Sequence, residues 1–421
     1  MAPIEIYRAP FPLYSIRLLG PGLVVVAGGG GAARTGIKNA LHFLRLECIG
    51  GCLSASLLHC HDTGSRAVMN LAHATPLRVI AVGVDDYCQL LSYREVEATQ
   101  EAQTLPSGQA KGSKQQEKPG RHKRKQAKTD EDHTARENKD ETPLLEVKSQ
   151  EFIQTDFSLE KLQKVVRFNS DCTILATGGV DGYLRTWKYP SLKPLCKVLA
   201  HQGEIDDLDF APDNKVVTAG RDFACSVWQH GVLVAGLDWS HVRPDIPSKT
   251  YRFQGCRFAA VEDSNEGVMR LYTVHIPHRR ERRPLPCFLT KWDANNFLPL
   301  LNASCGNEVI STLAVSEAGT YLGLGTITGS VAIHIAFSLQ RVYYVRETHG
   351  IVVTELGFLP SSTGQKSQKK HLDAELLSVS LDSRCKLHVL RARTLVPIWL
   401  VLLCCALCFL GVAFGMKGLL P

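Results

Sequence analysis

Up to about residue 394 the apolar residues fall in short runs divided by Gly, Asp, Asn and Ser, and helical periodicity is almost absent. Such patterning predicts strands throughout and an all-β fold. Gly22-Leu23-Val24-Val25-Val26 reads as a buried strand, and Ala40-Leu41-His42-Phe43-Leu44-Arg45-Leu46 alternates like a half-exposed one. Ile174–Trp187 is the clearest unit of a repeat, and Val216–Trp228 is a second copy. Their closing tryptophans, Trp187 and Trp228, lie 41 residues apart, the spacing of propeller blades.

These units resemble WD-type repeats, with a His near the start, an Asp in a tight turn and a Trp closing the third strand. The resemblance implies a buried hydrogen-bonded tetrad of His201, Thr218, Asp222 and Trp228. A His between a hydroxyl and a carboxylate satisfies polar groups that would otherwise cost about 1–3 kcal/mol each when buried, so a structural role is expected for them. Weaker copies begin at Ile80, Tyr321 and Leu377; in the second of these Thr328 takes the Asp place and His334 the Trp place, and His349 later mirrors His201. Four strands per blade give units near 13–59, 67–157, 163–199, 205–238, 253–303, 308–346 and 352–390. The last has three strands, and the spare N-terminal strand, 4–9, is expected to close it and remove the free edge.

One connection is too long for its task. Between Val26 and Ala40 a two-residue turn would suffice, yet the chain runs through Ala27–Asn39 with four successive glycines, Gly28 to Gly31. Glycines lose the most backbone entropy on ordering, and loops of roughly this length are usually functional or disordered, so a working loop is the reading taken here over a floppy hairpin tip. Nucleotide-binding fingerprints do not fit. After Gly31-x4-Gly36 the Lys is one place late and no Ser or Thr follows it, and no helix with a later ribose-binding carboxylate follows the glycines.

The pattern stops between Ala98 and Glu146, a Lys/Gln/Glu/Gly-rich insertion with few aliphatics that reads as disordered. It contains Arg121-His122-Lys123-Arg124-Lys125, followed at once by acidic residues, so a solvated charged loop is the stronger reading. His278–Arg283 is a shorter basic loop, and a polar insertion covers Ser361–His371. Near the end, Leu395–Met416 is 22 residues without a charge, long enough as a helix to span roughly 33 Å. Arg384, Lys386, Arg391 and Arg393 precede it and only Lys417 follows. The positive-inside rule then makes residues 1–394 cytosolic, 395–416 a single-pass anchor and 417–421 a luminal tail. The net charge of +7 is mild, and the cysteines ahead of the apolar segment show no Cys-x-x-Cys pairing. No nucleophile–base pair, metal cluster or carboxylate pair assembles, which argues against covalent catalysis.

Tyr7–Tyr14, the loop Ala27–Asn39, Leu175–Trp187, Leu322–Ser330 with Ala336–Gln340, and the C-terminal segment together resemble a family of endoplasmic-reticulum exchange factors. These act on the Sar-type small GTPase that starts COPII coat assembly. The resemblance implies a seven-bladed WD-type propeller that releases GDP at the endoplasmic-reticulum membrane and so initiates transport toward the Golgi. It implies an exchange loop of Gly28, Gly29, Gly30, Gly31, Arg34, Thr35, Gly36, Ile37, Lys38 and Asn39, with Lys replacing Arg34 in some members. It also implies a potassium ion held by backbone oxygens of Gly28, Gly29, Gly30 and Gly31. Expected partners are the GTPase in its GDP-bound and nucleotide-free forms, the membrane, and other coat or exit-site proteins. The rivals are a DNA-binding transcriptional regulator with a minor nuclear pool, using Arg121–Lys125, and a non-catalytic membrane scaffold. Neither Ile37 nor Asn39 is expected in the core.

Overall fold

The computed structural model describes residues 2–33, 36–50, 52–96, 144–261, 268–279, 281–360, 372–391 and 407. These form seven antiparallel sheets of four strands. The blades span 13–64, 68–154, 163–199, 205–236, 251–306, 310–345 and 353–391, close to the units expected from the repeat. Blade 7 takes its outer strand from the N-terminus: Ile4–Arg8 runs antiparallel to Arg384–Arg391, with Ile4 opposite Leu387 and Arg8 opposite Arg384. Closure by the spare strand is therefore as expected, and the ring is an all-β seven-bladed propeller.

Within a blade, burial follows distance from the axis. Second strands such as Leu23–Gly28, Val79–Val84 and Val216–Gly220 are buried at every position, because neighbouring blades cover both faces. The outer strand Cys52–Gly64 instead exposes part of each face. Packing between blades is apolar: Val25 and Phe43 of blade 1 meet Val68, Ile80 and Leu91 of blade 2. Each such side chain contributes about 1.5–3 kcal/mol when fully buried.

Neighbouring first strands are joined start to start. Thr354 donates to the Leu13 carbonyl at 2.9 Å, Ser311 to the Val353 carbonyl at 2.6 Å, and the Asn70 amide to the Gln163 carbonyl at 2.9 Å. First strands thus all run the same way, and the ring has two distinct faces. One carries the links between blades and the turns from second to third strand. The other carries the turns from first to second and from third to fourth strand.

The first strands surround a central cavity of about 130 Å³. Ion pairs cross it between blades: Lys164 with Glu204 at 2.5 Å, Arg167 with Asp207 at 3.7 Å, Arg257 with Asp207, and Arg17 with Glu355. Half-buried pairs in one network brace blades 3 to 5, and blade 7 against blade 1.

The insertion in blade 2 is shorter than composition suggests. Its fourth strand begins at Leu144, Leu145 is 2% exposed, and Glu146 pairs with Arg94 at 2.5 Å. A charged neighbourhood hid the start of that strand, so Leu144–Glu146 belong to the ring. The rest of the insertion, including Arg121–Lys125, lies outside the described residues, as do Ser361–His371 and, apart from helical Leu407, Leu395–Met416. Among the described residues no helix is long and apolar enough to cross a membrane.

Candidate functional site

The glycine loop joins the second and third strands of blade 1, Leu23–Gly28 and Asn39–Ile49. It therefore stands on the face that bears the links between blades, called here the loop face. Gly28 ends its strand, paired with both Leu13 and Ala40, and is buried with Gly29. Gly30 and Gly31 are half-buried, Gly36, Ile37 and Lys38 exposed, and Arg34 and Thr35 lie outside the described residues.

Gly28, Gly29 and Gly31 each favour glycine, the first because a Cβ would stand 1.8 Å from the Pro12 carbonyl oxygen. At Gly29 φ is +145°, and a Cβ would stand 2.1 Å from Asn39 Oδ1 and 2.7 Å from its Cα. Gly31, at φ +72°, is held from both sides by one amide: its N–H donates to Asn39 Oδ1 at 2.8 Å, and its carbonyl accepts from Asn39 Nδ2 at 3.2 Å. Asn39 Nδ2 also donates to the Gly64 carbonyl at 2.9 Å. Asn39 is 3% exposed, which overturns the expectation that it stays out of the core. It is a buried clamp that ties the glycine turn to the far end of the blade's outer strand. Ile37 is 40% exposed, as expected for the tip.

The N-terminal segment supports the same corner. The Gly29 N–H donates to the Pro12 carbonyl at 3.1 Å, and Tyr7 hydroxyl meets His42 Nδ1 at 2.6 Å. The Phe11 ring packs edge-on against His42 at 4.7 Å. Burial pushes the Tyr7 phenol up to about 12 and His42 below its usual value, so both groups of this hydrogen bond are neutral.

Two features beside the loop carry no sequence signal. A groove of about 570 Å³ runs between the outer edges of blades 1 and 2, lined by His61, Asp62, Gly64, Arg66, Tyr87 and Phe152. Gly64, held by Asn39, forms part of its wall. Farther round the loop face, the link from blade 2 to blade 3 exposes Phe157 at 58% and Leu159 completely. That link is braced. Asp156 accepts from the Ser158 N–H at 2.8 Å and the Asp181 N–H at 3.0 Å, and the Arg185 guanidinium sits 4.9 Å from the Phe157 ring centre. Phe157 and Leu159 are thus large apolar groups held in place and left exposed.

The tetrad forms as expected. His201 Nδ1 lies 2.9 Å from Asp222, His201 Nε2 2.8 Å from Thr218 Oγ1, and Trp228 Nε1 donates to Thr218 Oγ1 at 2.9 Å. Blade 7 repeats it with different residues: His349 meets Asp382 at 3.0 Å and Ser378 at 2.7 Å, and His388 Nε2 meets Ser378 at 2.8 Å in the Trp228 place. Burial drives His388 down to about 3 and lowers His349 despite Asp382, so both are neutral. In blade 6 the pattern lapses: Thr328 meets Thr326 at 2.9 Å, while His334 Nδ1 meets the Leu339 carbonyl at 2.9 Å.

The WD domain, G-beta repeat family matches residues 164–188 and 192–229. A rat protein described as guanine nucleotide-exchange factor SEC12 is 54% identical over 404 residues, 96% of this chain and 94% of its own length. The mouse protein of the same description matches to the same extent. An Arabidopsis thaliana SEC12-like protein 2 is 27% identical over 233 residues, 55% of this chain and 52% of its own.

Proposed function

The chain belongs to the family of SEC12 guanine nucleotide-exchange factors, and from that premise we propose that it releases GDP from a Sar-type small GTPase at the endoplasmic-reticulum membrane. The observation that carries the assignment of the site is the clamped loop. A glycine turn locked at its base by Asn39 presents Ile37 and Lys38 to solvent. Residues 28–39 are the exchange element, and Phe157 and Leu159 extend the docking surface on the same face.

Exchange needs no covalent step. The factor binds the nucleotide-free GTPase better than the GDP-bound one, and by linkage GDP is then held less tightly. A thousandfold acceleration corresponds to roughly 4 kcal/mol off the release barrier. Two or three rigid contacts suffice, since interface hot spots are worth about 2 kcal/mol or more each. Rigidity matters because a floppy loop would lose ordering entropy on contact, and Asn39 removes that cost beforehand. Backbone carbonyls of Gly28–Gly31 suit potassium in kind, being neutral oxygens of the type that coordinate that ion. The Gly31 carbonyl that accepts from Asn39 keeps a second lone pair. A bound ion would supply positive charge within the turn, while Asn39 and Pro12 hold its backbone.

Leu395–Met416 is the membrane anchor in this reading, and the charges before it keep the ring cytosolic. The deciding experiment reconstitutes the full chain in vesicles and follows release of fluorescent GDP from a Sar-type GTPase. Acceleration over empty vesicles is expected. Binding without acceleration would make the protein a scaffold.

A further inference from the structure

The direction of the last strand fixes which face of the ring meets the membrane. Arg384–Arg391 is the third strand of blade 7. It starts at the tight turn beside Ser380, on the loop face, and ends with Arg391 opposite Leu372 on the other face. Four peptide steps lead from Arg391 to Leu395, at most roughly 14 Å fully extended. So short a tether cannot carry the chain around the rim of the ring. The opposite face, here the exit face, is thereby held against whatever surface residues 395–416 enter.

That face carries four isolated apolar tips. The hairpin of blade 1 continues four residues beyond the pairing of Leu23 with Arg45, an extension of about 13 Å, and Ile49 at its tip is 64% exposed. Leu298 and Phe337, in the last turns of blades 5 and 6, are 60% and 64% exposed. Leu77, in the first turn of blade 2, is 47% exposed. Cations accompany two of them. Exposed Arg78 follows Leu77, and Lys291 Nζ lies 4.9 Å from the Phe337 ring centre and donates to the Phe337 carbonyl at 2.6 Å. Isolated apolar tips flanked by cations match the interfacial region of a phospholipid bilayer, apolar below and anionic at the headgroups.

We propose that the exit face lies on the bilayer, with Ile49, Leu77, Leu298 and Phe337 in its interfacial layer. The exchange loop then points into the cytosol from the far side of the ring. This rests on the anchor reading of residues 395–416. The eight-residue strand between the two faces sets them roughly 26 Å apart.

The test places the full chain in vesicles of phosphatidylcholine and phosphatidylserine. Cys48 and Cys52, exposed on either side of Ile49, take an environment-sensitive fluorophore in a background, used for every sample, with Cys404, Cys405 and Cys408 changed to Ala and, here, Cys60→Ser. A second sample carries the label at Phe337→Cys, and a third on the loop face at Ala33→Cys, both with Cys48, Cys52 and Cys60 changed to Ser. Circular dichroism checks that each variant keeps its strands. Lipids with a nitroxide near the headgroup are expected to quench most of the emission at 48/52 and 337, and little at 33. Resistance to carbonate extraction is read in parallel. A chain that resists extraction but shows no quenching at 48/52 and 337, or more at 33, overturns the face assignment alone. A chain that carbonate strips off overturns the anchor and the face together.

Discussion

The Asn39 side-chain amide reaches the Gly64 carbonyl at 2.9 Å, so the shape of the glycine turn is set by a strand that ends 25 residues later. One residue thus belongs to the core and to the site at once. Asn39→Ala is expected to leave the Gly31 N–H and the Gly64 carbonyl without this partner, costing about 1–3 kcal/mol. The same loosening of the turn should lower exchange at least about tenfold. Asn39→Asp can still accept from Gly31 but cannot donate to Gly64, and should fall between wild type and Ala on both measurements. Thermal melting and GDP release on the same preparations check this. Melting unchanged in Asn39→Ala would show that the clamp carries no load.

Buried neutral histidines make stability depend on acid. Burial lowers His275 and His388 to about 3 and His73 to about 4, against 6.5 for the unfolded side chain. In that window the unfolded chain binds more protons, so stability is complete above about pH 6.5 and is lost as pH falls toward the folded values. Each such histidine contributes a slope of up to about 1.4 kcal/mol per pH unit. Melting temperature should fall steeply between pH 6.5 and 4, and His388→Gln should flatten part of the curve while lowering it at neutral pH. A melting temperature constant over that range would refute this account.

The boundary of the blade-2 insertion gives a paired deletion. Removing 98–143 behind a Gly/Ser bridge leaves every described strand whole, and melting and exchange should stay close to wild type. Removing 98–146 takes Leu145 from the core and Glu146 from Arg94, and should lower the melting temperature distinctly. Equal melting of the two would mean that the start of this strand contributes nothing.

The repeat, the closing strand, the tetrad at His201 and the long loop of blade 1 were all legible in the sequence, because each depends on residues near one another or on a regular period. The burial of Asn39 was not, since it follows from the Gly64 carbonyl, 25 residues on, that its amide bonds. The blade-7 tetrad was legible only in part: His349 mirrors His201, but His388 stands where a Trp is expected and Ser378 where a Thr is. Leu144–Glu146 were lost to the charged composition before them. Phe157 and Leu159 look like ordinary apolar residues until the braced link turns them outward. The face on which the last strand ends depends on strand direction, known only once the ring is closed.

Ile37 and Leu159 separate the two tasks assigned to the loop face. Ile37 is 40% exposed at the tip and Leu159 is fully exposed, so truncating either should change stability by no more than about 0.5 kcal/mol. If the loop acts on the GTPase while it gives up GDP, Ile37 makes its contact chiefly in the nucleotide-free complex. Ile37→Ala should then lower the maximal exchange rate at least about tenfold, with little change in the GTPase concentration that gives half of it. Leu159 lies on a different blade, on a link that holds its shape without the partner. Its contact would be made equally before and after GDP leaves, which is uniform binding. Leu159→Ser should therefore raise the half-maximal GTPase concentration and leave the maximal rate near wild type. Titrating the GTPase against each variant distinguishes these outcomes. A Leu159→Ser variant with wild-type kinetics would remove the link between blades 2 and 3 from the docking surface. An Ile37→Ala variant with a wild-type maximal rate would return residues 29–38 to the role of a long turn.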